Sequence, residues 1–271
     1  MTKIAFIARN PINSPNMTAN DAAIIESIMA ELAGHGVKAI LIGEEEEIPD
    51  DTQIVCTMSR TASTIERLKK AEKQGVIVLN STAAVENCSR KRFMEILREN
   101  DIPQPNFKSV SDDTGPDGSL FPCWIKKAEG WSCHKDDVCF ARTEEEANAI
   151  VGEMSARGIN ECIQMQHCPG DIIKFYGVGK ELFHYCYPTS TKFGNEVING
   201  SPRHYIFDTC ALKDAAQKAA QAVGLEIYGG DAIVTPQNEI FIIDINDFPS
   251  FTAIRDVAAK EIATLIMNKT K

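Results

Sequence analysis

The chain has 271 residues, 44% of them hydrophobic, enough to bury the core of one large domain or two modest ones. Its formal net charge of −10, from 28 Lys and Arg against 38 Asp and Glu, disfavours a nucleic-acid or anionic-membrane surface, since those partners reward clustered basic residues. Nine cysteines without metal-finger spacing, an N-terminus (MTKIAFIARN) without a signal-peptide pattern, and no long apolar run predict reduced thiols in a soluble, cytoplasmic protein with no membrane partner.

Over the first 80 residues strand-like and helix-like segments alternate: KIAFIA, a helix from Asn20 to His35, VKAILIG, QIVCT, a helix from Thr61 to Gln74, and GVIVLN. That βαβ rhythm predicts a small parallel sheet covered by helices. The loop ARNPINSPNMTAN after the first strand lies where open α/β sheets bind ligands, but it lacks a G-x-G-x-x-G pattern and reads as a plain loop. The acidic run Glu44 to Glu47 reads as a solvated loop without a role. Beyond Asn80, STAAVENCSRKRFMEILRENDIPQP reads as one helix stopped at Asn100 to Pro103, and SVSDDTGPDGSLFP as a turn-rich connector. CWIKKAEGWSCHKDDVCFAR looks like two strands around a loop at Gly130. A helix from Thr143 to Arg157 follows, then strands ECIQMQ, DIIKFYGVG and ELFHYCYP, a polar loop from Thr189 to Arg203, a helix from Leu212 to Val223, a hairpin and a closing helix.

The hairpin, GGDAIVTPQNEIFIIDINDFPSF, carries Asp231, Asp244, Asn246 and Asp247 among apolar runs. Ala232 to Val234 and Ile240 to Ile243 are strand-like, and Pro236 to Glu239 has turn composition. A symmetric four-residue connection sets Thr235 opposite Ile240 and hence Asp231 opposite Asp244, with Asn246, two residues on, sharing the face of Asp244. Opposed carboxylates destabilise a sheet unless a cation lies between them, and carboxylate and amide oxygens are what Mg²⁺ accepts. The hairpin is therefore a candidate magnesium site; the plainer alternative makes the aspartates solvated caps just outside the strands.

Four stretches from about Asn80 to the end resemble, in order and spacing, the ATP-grasp superfamily: CSRKRFMEIL with DIPQP, WIKKAEGWS, ECIQMQHCPGDIIKFYGVG, and YGGDAIV with FIIDINDFPS. The resemblance implies a fold of α/β and α+β parts. A Rossmann-like N-terminal domain would cover residues 1–80 and a two-subdomain ATP-grasp domain residues 81–271, with a small lid subdomain near 105–165. It implies ATP and Mg²⁺, or Mn²⁺, as cofactors. Lys126 would meet the α- and β-phosphates, with Arg90, or its neighbours Lys91 and Arg92, as the second basic contact. The loop of Gly130, Trp131 and Ser132 would close over the triphosphate, and the backbone of Gln164, Met165 and Gln166 would read adenine. Asp231, Asp244 and Asn246 match the family's metal ligands.

For most of the superfamily the phosphoryl acceptor is a carboxylate, giving an acylphosphate that an amine or thiol captures. The resemblance thus implies a ligase acting on a small molecule or peptide, as a monomer or homodimer, with Arg203 and Lys174 as catalytic candidates beside Lys192 and His204. Many ligases of the superfamily carry Glu where Asp244 stands and Pro where Lys127 stands. DINDFPSF with SCHKDDVCF and CSRKRFMEIL is also similar to inositol trisphosphate kinases, which share the fold and phosphorylate a hydroxyl; His134 would then contact phosphate. The acidic balance favours the ligase, because a polyphosphate-binding kinase calls for a dense basic cleft. A third reading, an ATP-binding protein without catalysis, fits poorly with a full set of metal ligands.

Overall fold

The computed structural model describes residues 3–13, 17–129, 134–188, 198 and 200–270. The N-terminal strands β1 (Lys3–Ile7), β2 (Ala39–Ile42), β3 (Thr52–Thr57) and β4 (Ile77–Leu79) form a parallel sheet in the order β2-β1-β3-β4. Helix α1 (Thr18–Gly34) buries Ile24, Ile25, Ile28 and Leu32 along one stripe, and α2 (Ala62–Lys73) buries Ile65 and Leu68. This is the parallel sheet that the βαβ rhythm predicts.

The next segment departs from expectation, because two helices replace one. Ser81 caps α3 (Thr82–Asn87) by accepting from the Ala84 N–H, and Ser89 then turns to an extended conformation (φ −59°, ψ 139°) before α4 (Arg90–Glu99) begins. The restart makes Arg90 the first residue of a helix instead of an interior one.

A second sheet, antiparallel in its pairings, has the order β5-β8-β6-β7 from β5 (Phe107–Val110), β6 (Cys123–Lys127), β7 (Val138–Ala141) and β8 (Cys162–Gln166). Strand β5 begins just before the turn-rich connector and includes its first residues, pairing along β8. Helix α5 (Glu144–Ala156) covers one face through Ala147, Val151 and Met154. The third sheet, β10-β9-β11-β12, is built from β9 (Asp171–Val178), β10 (Leu182–Cys186), β11 (Ile227–Val234) and β12 (Ile240–Asp247). Helix α6 (Thr209–Val223) starts three residues before its first apolar anchor, Leu212, because Asp208 caps it through the Cys210 N–H. Helix α7 (Arg255–Asn268) packs against α1. Among the described residues no helix is long and apolar enough to cross a membrane.

In the β11–β12 hairpin the expected pairing of Asp231 with Asp244 is present, but the expected turn is not. Val234, not Thr235, faces Ile240, because Thr235 joins the turn and donates its N–H to the Glu239 carbonyl at 2.9 Å. A bulge at Ile243 then shifts the register by one, between Ala232 opposite Ile242 and Asp231 opposite Asp244. Turn and bulge offset each other. The neighbouring Gly230 is required by close approach: a Cβ there would lie 2.3 Å from the Asp244 carbonyl oxygen and 2.4 Å from the Phe175 ring.

One apolar core joins the first and third sheets, combining Ile4, Phe6 and Ile28 with Tyr176, Ile227 and Phe251. Buried Asn80 bridges the same parts as a strand edge would. Its Nδ2 donates to the Ile227 carbonyl at 2.7 Å, and its Oδ1 accepts from the N–H groups of Glu226 (2.9 Å) and Ile227 (3.0 Å). Asn80→Ala loses these bonds and strands two amides, so we expect a loss of about 3 kcal/mol at about 1 kcal/mol per bond. Urea unfolding reads this directly, and a loss of under about 1 kcal/mol would remove the bridge from the account of the fold.

Candidate active site

Register across the third sheet sets Cys186, Lys174, Asp231 and Asp244 in one row, each the cross-strand partner of the next on β10, β9, β11 and β12. Lys174 Nζ lies 2.8 Å from Asp231 Oδ1, and Asn246 Nδ2 donates to Asp244 Oδ2 at 3.0 Å. Burial works against the Lys174 ammonium, but the charge and hydrogen bond of Asp231, with Tyr176 and Asp244 adding, more than reverse it and raise its pKa above the usual lysine value.

The small sheet supplies the opposite wall. Lys126 on β6 is 8% exposed, and its described hydrogen-bond contact is Met165 Sδ at 3.6 Å. Burial and the neighbouring Arg90 pull its pKa down to about 7, against the attraction of Asp244 and Asp231. Arg90, at the first turn of α4, donates to the Lys127 carbonyl, and burial lowers its pKa against the pull of Asp244 and Asp137. Between the walls lies a cavity of about 360 Å³, counting the part open to solvent. Trp124, Lys126 and Met165 line one side, and Ile172, Ile233 and Ile243 the other. The β12 bulge lets Ile243 line this cavity directly before the carboxylate of Asp244.

No protein-family model and no curated protein matches the sequence. In structure the chain is similar to a RimK domain ATP-grasp protein from Sphaerobacter thermophilus, with a TM-score of 0.71 at 15% identity over 97% of this chain and 98% of that one. It is similar to the D-alanine–D-alanine ligase of Bacillus anthracis (0.71, 11% identity, 100% of both chains). It is likewise similar to the ATP-grasp ligase PsnB, solved with precursor peptide PsnA2 and AMPPNP (0.68, 14% identity, 100% of this chain and 98% of that one). The chain has the ATP-grasp fold.

Within that ATP-grasp frame the structure brings together Lys126 and Arg90 on one wall and Lys174, Asp231, Asp244 and Asn246 on the other. Among the described residues there is no cluster of three or more His, Cys, Asp or Glu side chains fit to hold a metal. The hairpin instead offers two carboxylates and an amide, a hard oxygen set that suits a cation sharing its coordination with water or phosphate oxygens.

The other expected residues divide among this cavity, contacts of their own, and positions outside the described residues. Lys91 Nζ is paired with Glu161 at 2.7 Å, and Arg92 is exposed and paired with Glu99 on its own helix. Gln164, expected to act through its backbone, turns its buried side chain to the face away from Lys126: it accepts from the Asp117 N–H at 2.6 Å and donates to the Asp117 carbonyl at 3.0 Å, because strand alternation puts it on the face of Ile125. Met165 and Gln166 do line the cavity. The N–H groups of Arg203 and Tyr205 donate to buried Asp171 at 2.7 and 3.0 Å, which holds Arg203 near the start of β9, roughly 10 Å along the strand from Lys174. The Arg203 side chain is exposed, and the His204 ring lies 4.3 Å from that of Tyr187. His134 is exposed and caps a turn through the Asp136 N–H. Gly130, Trp131, Ser132 and Lys192 lie outside the described residues.

Several polar contacts at the ends of the N-terminal strands have no signature in the sequence. Glu44, read as solvated, accepts hydrogen bonds from the Ser59 and Thr61 hydroxyls and from Asn10 Nδ2, since the ends of β1, β2 and β3 bring these side chains together. Arg9 and Arg60 follow β1 and β3, at the carboxyl ends where parallel sheets bind ligands, so the rule applied to ARNP could have singled out SRT as well. Burial and Arg60 lower the Arg9 pKa to about 10, opposed by Asp247 and Asp21. Four cysteines, Cys56, Cys88, Cys123 and Cys162, are buried as expected, but Cys168 lines the cavity and Cys186 ends the charged row. Burial raises the pKa of both thiols, which argues against thiolate chemistry at neutral pH.

The lowered Lys126 pKa sets a pH dependence. With its pKa lowered to about 7 this group is partly neutral near pH 7, and a phosphate bound beside it would favour the charged form, so nucleotide binding there would take up a proton and weaken as pH rises above 7. Calorimetry at pH 7.5 in buffers of different ionisation enthalpy should show the uptake. Lys126→Ala should abolish it and weaken affinity by about 10–100-fold, the worth of one charge-assisted hydrogen bond. Uptake that persists in the variant would assign the proton to another group.

Proposed function

We propose that this protein is an ATP-grasp enzyme that uses Mg-ATP to activate a carboxylate as its acylphosphate and joins it to an amine or a thiol. The proximity of Lys126 and Arg90 to Asp244, with Asp231 and Asn246 beside it on the hairpin and Lys126 lining the adjacent cavity, carries this reading, because such a site pairs phosphate-binding cations with oxygen donors for a divalent metal. Asp231, Asp244 and Asn246 would hold Mg²⁺, and Lys126 and Arg90 the phosphates. When bound, Mg²⁺ neutralises the charge that builds on the transferring phosphoryl group.

The chain's own residues prepare that step. Lys174 holds Asp231 in one orientation and leaves its second oxygen outside the ion pair. Ile172, Ile233 and Ile243 give the cavity an apolar wall suited to a flat base and exclude water beside the charged row. The acceptor would enter from the β10 side of the charged row, beside Cys186 and Lys174. The named activity of the D-alanine–D-alanine ligase and the peptide bound to PsnB support a carboxylate of an amino acid or peptide as acceptor. The acidic balance of the chain supports the same class over a polyphosphorylated one.

Mg-dependent ADP release, measured against pooled amino acids and peptides and separately against inositol phosphates, tests the proposal. We expect ADP and free phosphate to appear together with the amino-acid and peptide pools, and Asp244→Ala and Asp231→Ala each to cut turnover by at least about 100-fold with the fold intact. ADP without free phosphate, from the inositol phosphate pool, would replace the ligase with a kinase. Near-normal turnover in either variant would refute the metal assignment.

A further inference from the structure

Two buried arginines that this reaction scheme leaves unused both reach the end of β12. Arg60 Nη2 stands 2.5 Å from Asp247 Oδ1 and donates to the Asp247 carbonyl at 3.3 Å. Arg9 Nη2 donates to the carbonyls of Asp247 (3.3 Å) and Phe248 (3.1 Å), its Nε donates to the Met58 carbonyl (3.2 Å), and its Nη1 pairs with Asp21 (3.3 Å). Asp247 is completely buried and directly follows Asn246, so strand alternation turns it to the opposite face. The next residue, Phe248, has φ +37°, a conformation that bulky side chains rarely adopt, and its N–H donates to the Ile227 carbonyl at 3.2 Å.

A strand can end in an exposed turn without burying any charge. Here two guanidinium groups and two carboxylates leave water at the last residues of the metal hairpin, a desolvation cost that attraction offsets only with well-placed partners. Both arginines come from the loops after β1 and β3, so the backbone that carries Asn246 is held from the N-terminal sheet.

We propose that Arg9 and Arg60 are positioning residues: by holding the Asp247–Phe248 backbone they fix Asn246 and Asp244 on their face and thereby set the affinity of the hairpin for a divalent cation. The inference rests on the reading of that hairpin as the metal site. Arg→Lys keeps the charge and removes the planar fork that reaches two carbonyls at once.

Mn²⁺ serves as the probe, its free concentration followed by electron paramagnetic resonance during titration of the whole protein with a non-hydrolysable ATP analogue. Nucleotide affinity in EDTA and the thermal midpoint are measured alongside. Arg9→Lys and Arg60→Lys should weaken Mn²⁺ binding about 10–100-fold, as changes to groups that orient metal ligands do, with metal-free nucleotide affinity within about twofold of wild type. Should a lysine variant not fold, Asp247→Asn, which keeps the volume and removes the charge, supplies the same comparison. Mn²⁺ affinity equal to wild type, or metal and nucleotide affinity falling together in step with the thermal midpoint, overturns the inference and leaves the metal site standing. Wild-type protein that binds Mn²⁺ no better than Asp244→Ala overturns the metal site, and the inference with it.

Discussion

Two carboxylates face each other across β11 and β12, and much of the surrounding architecture compensates them. Like charges directly opposed in a sheet repel, and at a half-buried position solvent screens them poorly. Lys174 answers one of them from the adjacent strand, at 2.8 Å from Asp231, while Asn246 donates to the other. Lys126 and Arg90 stand close enough to Asp244 to feel its charge, and Lys126 lines the neighbouring cavity. Burial, and after it the neighbouring Arg90, disfavours the charged form of Lys126, and an anionic ligand there would favour it.

Local backbone irregularities aim the side chains. The bulge at Ile243 puts an apolar cavity wall and the carboxylate of Asp244, opposite Asp231, at successive residues of one strand. The break at Cys88 and Ser89 does the same for Arg90, turning an interior helical residue into a first-turn residue that reaches the Lys127 carbonyl. In both places one or two residues that leave the regular pattern decide the direction of a charge.

The N-terminal sheet takes part in the site through polar groups as well as through the shared core. Asn80 meets the backbone of β11 at its start, and Arg9 and Arg60 meet the backbone of β12 at its end. The two strands that carry Asp231 and Asp244 are thus held at the same end of the hairpin by residues far away in the sequence. The opposite end, at the Thr235 turn, is held by its own hydrogen bonds.

The hydrophobic periodicity of the chain, which missed β5 and the break between α3 and α4, by itself determined most of the strands and helices, the parallel character of the first sheet, and the sharing of one face by Asp244 and Asn246. All of these depend on spacings of a few residues, which a strand or helix converts directly into direction. The pairing of Asp231 with Asp244 was legible too, although the argument for it assumed a shorter turn and no bulge, and the two departures offset each other. Only the tertiary structure decided that Gln164 turns to Asp117, that Lys91 pairs with Glu161, that Glu44 gathers the ends of three strands, and that Arg9 and Arg60 converge on Asp247. Those contacts join residues as many as 238 positions apart. A buried charge or amide needs a partner, but its local sequence carries no sign of which distant group the packing of the sheets will bring within reach.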